Sequence, residues 1–121
     1  MMRLTARLVP LAVAAALLSP LALTGTASAA PAHYPCGGTP PDLDPAQGTN
    51  KANGANMRTG SSTSCPSRGL AYLSNTINYH CYTLGQDGYS WTYARNLSTG
   101  YAGWIRDDLL RDGGSRIHCP S

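Results

Sequence analysis

Four cysteines set the tightest limit on how this 121-residue chain folds. Cys36, Cys65, Cys81 and Cys119 all lie downstream of a segment organised like an export leader. An even number of cysteines in a small exported chain reads as two disulfides, and four cysteines leave three pairings open. The length allows one domain at most. A domain that small buries too little surface to be very stable alone, so covalent cross-links have a physical purpose.

The leader is recognised by the order of its parts. Residues 1–7 carry Arg3 and Arg7 and no acid; residues 8–23 are apolar, interrupted by Pro10, Ser19 and Pro20. Thr26-Ala27-Ser28-Ala29-Ala30 then supplies the Ala-x-Ala spacing of a signal-peptidase site. We read residues 1–29 as a signal peptide. Pro10 and Pro20 leave too short an unbroken apolar run to suit a membrane anchor. No Arg-Arg pair marks a Tat signal, and no cysteine follows the apolar run to take a lipid. The expected product is secreted and extracellular, free or associated with the cell wall. The chain has 9 basic and 6 acidic residues, and the leader removes two of the basic ones, so the mature chain is nearly neutral. That balance, without a basic cluster, argues against a nucleic-acid partner.

Residues 30–54 form an arm rich in Pro, Gly, Ala, Asn and Thr. Its prolines, among them Pro35, Pro40, Pro41 and Pro45, exclude regular helix and a central strand. We expect an extended arm with little core of its own, tethered through Cys36 and most flexible over residues 47–54.

Short strands follow. Residues 55–58 read as the first, residues 59–68 as a Ser/Thr/Gly loop, and residues 69–73 as the second strand. Residues 77–84 alternate, placing Ile77, Tyr79, Cys81 and Thr83 on one face, expected to meet the core. Gly85-Gln86-Asp87-Gly88 is a turn. Residues 90–96 form the next strand, with Thr92 and Ala94 on one face and Trp91, Tyr93 and Arg95 on the other. The chain turns over residues 97–100 and returns over residues 101–106, with Gly103 and Ile105 opposed to Trp104 and Arg106. Residues 112–121 are a glycine-containing tail. Several short strands with Gly-rich turns and no amphipathic helical run define an all-β barrel or sandwich.

Two segments carry a resemblance. One is Asn56-Met57-Arg58-Thr59-Gly60-Ser61-Ser62-Thr63-Ser64. The other is Trp91-Thr92-Tyr93-Ala94-Arg95 followed by Thr99-Gly100-Tyr101-Ala102-Gly103-Trp104-Ile105-Arg106-Asp107-Asp108-Leu109-Leu110. In this order and at this separation they resemble the bacterial SH3-like (SH3b) domain family, in particular its small secreted actinobacterial members. Where that family usually has Gly-Pro-Ser, this chain has Gly60-Ser61-Ser62. The resemblance implies a small SH3-like barrel over residues 55–111, with Asp107 to Leu110 forming the 3₁₀ turn before the last strand and Asp107 capping it. The ends of such a barrel lie close together. The resemblance therefore favours pairing Cys36 with Cys119 across the tails, and Cys65 with Cys81 from the long loop to the core.

The chemistry is sparse. His80-Cys81 recurs as His118-Cys119, but neighbours on a strand point to opposite faces and there is no Cys-x-x-Cys, so no metal or cofactor is expected. There is no Gly-x-Ser-x-Gly elbow, an even cysteine count leaves no free thiol, and the chain has no Glu. Asp42 and Asp44 fall in the arm, and Asp87 and Asp108 have turn explanations. We therefore expect no enzyme. The aromatics carry more: 7 Tyr and 2 Trp stand with no Phe, and Tyr and Trp offer a ring with a polar tip. Trp91, Tyr93 and Trp104, with Arg95 and Arg106, are the candidate ligand-binding residues, arranged as a shallow groove for a peptide or glycan or else packing the barrel. By resemblance the ligand is peptidoglycan or its peptides, bound by a monomer. The alternatives are an extracellular protein-binding effector or inhibitor and a small cell-wall hydrolase.

Overall fold

The computed structural model describes residues 33–121. The signal-peptide reading of residues 1–29 lies outside the described residues.

Alternation and turn chemistry place the strands. They are β1 (Gln47–Gly48), β2 (Ala55–Arg58), β3 (Ser67–Ala71), β4 (Ile77–Leu84), β5 (Ser90–Asn96) and β6 (Ala102–Arg106), followed by a 3₁₀ turn at Asp107–Leu109. All pair antiparallel in one sheet of order β1-β4-β5-β6-β2-β3. The expected closed barrel is not what the hydrogen bonds draw: β1 and β3 are the two edges of an open sheet. The β5–β6 connection is held by Asn96, whose Oδ1 accepts the Ser98 and Thr99 N–H groups while its Nδ2 donates to Asn75 Oδ1 at 2.9 Å.

The sheet has two buried sides. Ala55, Met57, Ala71, Ile77, Tyr79, Ala94, Ile105 and Leu110 form one core. Cys81, Trp91, Tyr93, Trp104 and Cys119 form another, with Tyr34 and Ala102 packed against it. A bulge in β4 explains why Cys81 left the company of Tyr79. Tyr79 pairs with Ala94 and Cys81 with the very next residue, Tyr93, so His80 is an extra residue. An inserted residue breaks the period of two, and everything beyond it moves to the other side of the sheet. The sequence expectation of a single core face for Ile77, Tyr79, Cys81 and Thr83 is corrected accordingly: all four are buried, but in two places.

The second core exists because the arm and tail cover it. The disulfides join Cys36 to Cys65 and Cys81 to Cys119, which corrects the pairing that the resemblance favoured. The arm is stapled to the loop after β2, and the tail to β4. Residues 47–54 are not a flexible linker either. β1 pairs with β4, Lys51 N–H donates to the Leu109 carbonyl at 2.8 Å, and Asn50 is fully buried. Arm, strands and tail belong to one compact unit, wider than the expected 55–111.

A polar network closes the tail onto the sheet. Thr92 Oγ1 donates to Asp107 Oδ1 at 2.5 Å and accepts the Ser115 N–H at 2.9 Å. Ser115 Oγ donates to Asp44 Oδ2 at 2.5 Å, and Tyr79 donates its hydroxyl to Asp112 Oδ1 at 2.5 Å. Asp107 is thus tied to Thr92 from within the 3₁₀ turn, and no side chain caps that turn, contrary to the capping role expected of it. Gly114 is the residue that lets the tail approach. A Cβ there would sit 2.3 Å from Asp107 Oδ1 and 2.4 Å from Thr92 Oγ1, at a φ of +88°. Left-handed backbone alone costs a non-glycine residue about 1–2 kcal/mol. With the clash added, Gly114→Ala is expected to destabilise by at least about 2 kcal/mol, seen as a drop in Tm of roughly 8 °C or more. An unchanged melting curve would show that the network does not hold the tail.

Candidate functional site

On β2, Ala55 and Met57 turn into the core, so Asn56 and Arg58 face the other way and are only half-buried. β6 lies beside β2 through the Arg58–Trp104 pair, and Trp91 of β5 stands across from Arg106 of β6. These registers, with Thr63 from the loop after β2 and Leu109 from the 3₁₀ turn, line a cleft of about 160 Å³. Ligand pockets for drug-sized molecules run to roughly 300–1,000 Å³, so this cleft fits one end of a ligand, not the whole.

Its two cations differ in electrostatic state. Arg106 makes a bidentate pair with Asp108 at 2.7 and 3.0 Å, lies 3.6 Å from Asp87 Oδ2, and sits 4.2 Å above the Tyr89 ring. The Asp108 bonds hold its guanidinium above the usual range, so its charge is already answered within the chain. Asp87 also accepts the Trp91 indole N–H at 3.1 Å and the Tyr89 N–H at 3.0 Å. Arg58 donates one N–H to the Cys65 carbonyl at 2.9 Å, and among the described residues no carboxylate pairs with it.

The residues singled out from sequence divide three ways. Trp91 and Arg106 do meet in the cleft. Tyr93 and Trp104 touch each other edge-to-face at 5.2 Å but lie beneath the arm, where Tyr34 packs on Trp104 at 4.9 Å. Arg95 is exposed near the far end of β5, opposite Ala102, and does not line the cleft. The open aromatic groove is therefore corrected: Trp91 is 2% exposed, Tyr93 4% and Trp104 0%. The arm covers Trp104 through Tyr34 and Gly38, while Trp91 packs against the turn after β4, at Gly85 and Asp87. Asn56, Thr63 and Leu109 carried no chemical signal of their own. Arg58 carried one, since it alternates with the apolar Met57 and had to face away from the core.

The carboxylates around Tyr79 are a separate constellation. Burial pushes the Asp107 carboxyl up to about 6, against hydrogen bonds from Ser90 and Thr92, with Asp108 and Asp112 adding to the rise. Burial and the bond to Asp112 also hold the Tyr79 hydroxyl well above the ordinary phenol range. Asp44 is taken up by the Ala46 N–H and the Ser115 hydroxyl, and Asp112 by the Tyr79 hydroxyl and the Gly114 N–H. These contacts make the group a clasp for the tail.

No family model, curated protein or solved structure matches the chain. Fold and site define a small all-β domain: an open six-stranded antiparallel sheet stapled by two disulfides. Disulfides of this kind suit an oxidising, extracellular-type compartment. No helix among the described residues is long and apolar enough to cross a membrane.

Proposed function

We propose that the chain is a secreted, non-catalytic binding module of the bacterial SH3-like type, and that its ligand is a cell-wall peptide held by a carboxylate in the Arg58 cleft. The two sequence segments of the resemblance support the family reading. So does the adjacency of β2, β6 and the 3₁₀ turn, which brings both segments to one place. The observation that carries the ligand is Arg58: a cation in a cleft, bonded to a neutral carbonyl and paired with no acid among the described residues, beside an arginine whose charge is already answered. A guanidinium in that position favours a carboxylate, since charge-assisted pairs are the strong hydrogen bonds. Peptidoglycan stem peptides offer carboxylates, and the size of the cleft suits one such group.

The test is co-sedimentation of oxidised protein, with its signal peptide removed, with purified peptidoglycan, for wild type and Arg58→Gln of equal Tm. We expect saturable binding that weakens about tenfold in the variant, the value of one charge-assisted hydrogen bond of roughly 1.4 kcal/mol or more. Wild type that fails to sediment at any salt concentration would overturn the peptidoglycan assignment. Equal binding by the variant would remove Arg58 from it.

A further inference from the structure

The covered aromatic surface behaves as a filled site. Tyr34 lies against Trp104 at 4.9 Å, and Trp104 in turn against Tyr93 at 5.2 Å. The Trp104 indole N–H donates to the Gly38 carbonyl at 3.1 Å, and the Tyr34 hydroxyl donates to the Pro120 carbonyl. Between these two anchors the arm makes a turn over residues 35–38. Gly38 N–H bonds the Pro35 carbonyl at 2.9 Å, and Gly37 supplies the φ of +94° the turn requires. Backbone bonds complete the seat: Gly37 N–H to the Thr59 carbonyl at 2.8 Å, and Ser61 N–H to the Tyr34 carbonyl at 3.1 Å. An aromatic anchor in an aromatic pocket, an indole N–H on a peptide carbonyl, and main-chain bonds along a strand end are the contacts by which proteins seize short peptides. Here the peptide is the chain's own.

The latch on that peptide is the more accessible of the two disulfides. Cys36 is exposed, with Cys65 buried at 2%, whereas Cys81 at 0% and Cys119 at 2% are both buried. Thiol–disulfide exchange needs access to a sulfur, and exposed bridges are the labile ones.

We propose that the Tyr93–Trp104 surface is a peptide-binding site occupied in cis by residues 34–38, with the Cys36–Cys65 disulfide as a redox latch whose opening frees the site for a peptide of the same chemistry, an aromatic residue followed by a proline turn. The opening step is an exchange with a dithiol. One thiolate attacks Cys36 Sγ, the Cys36–Cys65 bond breaks, and Cys65 leaves as a thiolate that takes up a proton. The second thiol then displaces Cys36 from the mixed disulfide. The protein gains two thiols, the dithiol becomes a disulfide, and two electrons and two protons have been transferred. The site is distinct from the Arg58 cleft and does not depend on that reading.

Two measurements test it. The oxidised protein is titrated with dithiothreitol, alkylated and mapped by mass, while amide exchange is followed at Gly37 and across β4 and β5. We expect Cys36 and Cys65 to be alkylated while Cys81–Cys119 is intact, with protection at Gly37 falling tenfold or more and the sheet unchanged. Simultaneous reduction of both bridges, unchanged protection at Gly37, or loss of protection across the sheet would each overturn the latch. In the second, a labelled peptide with the sequence of residues 33–41, Ser replacing Cys36, is offered to oxidised wild type and to a Tyr34→Ala/Cys36→Ser/Cys65→Ser variant. Binding at least tenfold tighter to the variant supports the site; equal or absent binding by a folded variant overturns it. If the variant does not fold, the exchange data on reduced wild type decide alone.

Discussion

Trp104→Ala is expected to lower stability by about 3–5 kcal/mol, the usual range for deleting a fully buried large aromatic. Trp104 has no exposure at all and three kinds of partner: Tyr93 across the β5–β6 ladder, Tyr34 from the arm, and the Gly38 carbonyl on its indole nitrogen. Removing it opens a cavity and leaves the arm without its anchor. Native domains hold only about 5–15 kcal/mol in total, so the variant is expected to be partly unfolded at 37 °C. Urea unfolding checks this through a lower midpoint at an unchanged slope. Trp104→Phe, which keeps a ring and loses the N–H, is expected to cost clearly less. A midpoint for Trp104→Ala within a few tenths of a molar of wild type would mean that the second core contributes little.

The second large effect is set by pH. The folded carboxyl of Asp107 titrates at about 6 because it is buried, above its unfolded value of 3.8. A raised folded value means that the native state holds the proton more tightly than the unfolded chain. The associated stability is fully present below pH 3.8 and is lost as pH rises through 6. At 1.36 kcal/mol per unit the loss is at most about 3 kcal/mol. Asp107→Asn keeps an oxygen to accept from Thr92 and removes the charge. It is expected to match wild type near pH 4 and to be the more stable protein at pH 7, with the gap opening between those values. Other groups do not share that difference. His80, held low by burial against the pull of Asp42, with Arg95 lowering it further, costs stability as pH falls, but equally in both proteins. Asp87 is pushed up by burial yet held low overall by the Trp91 and Tyr89 N–H bonds and Arg106, so it acts only at pH values under its ordinary range. Thermal melts of both proteins from pH 4 to pH 8 check the sign; a variant less stable at pH 7 would show that the ionised form is the one the fold prefers.

The same residues show where sequence reading ran out. Alternation over Ile77–Leu84 located β4 to the residue, and Gly-rich punctuation located the turn at residues 85–88 and the β5–β6 hairpin. The bulge at His80 was not legible, because it is set by where β5 pairs and leaves no mark on β4. Nor was the disulfide pairing: four cysteines state how many bridges form, and only the path of the arm over Trp104 brings Cys36 to Cys65. The resemblance made Asp107 a cap of the 3₁₀ turn; its burial was not legible because its partner Thr92 is fifteen positions away and the tail that buries it follows two glycines with positive φ.

By itself, then, the sequence placed β3 two residues late and gave no sign of β1, but it determined an all-β chain with two cross-links and the bounds of β2, β4, β5 and, within one residue, β6. These are local properties, written in side-chain periodicity, turn residues and cysteine number. Only the tertiary structure decided which faces are buried, which cysteines meet, and that the aromatic stripe is covered by the chain's own arm. Those outcomes depend on contacts between segments far apart in the chain. A Pro-rich arm carries no periodicity to announce where it docks, and it is ordered by the surface it lands on.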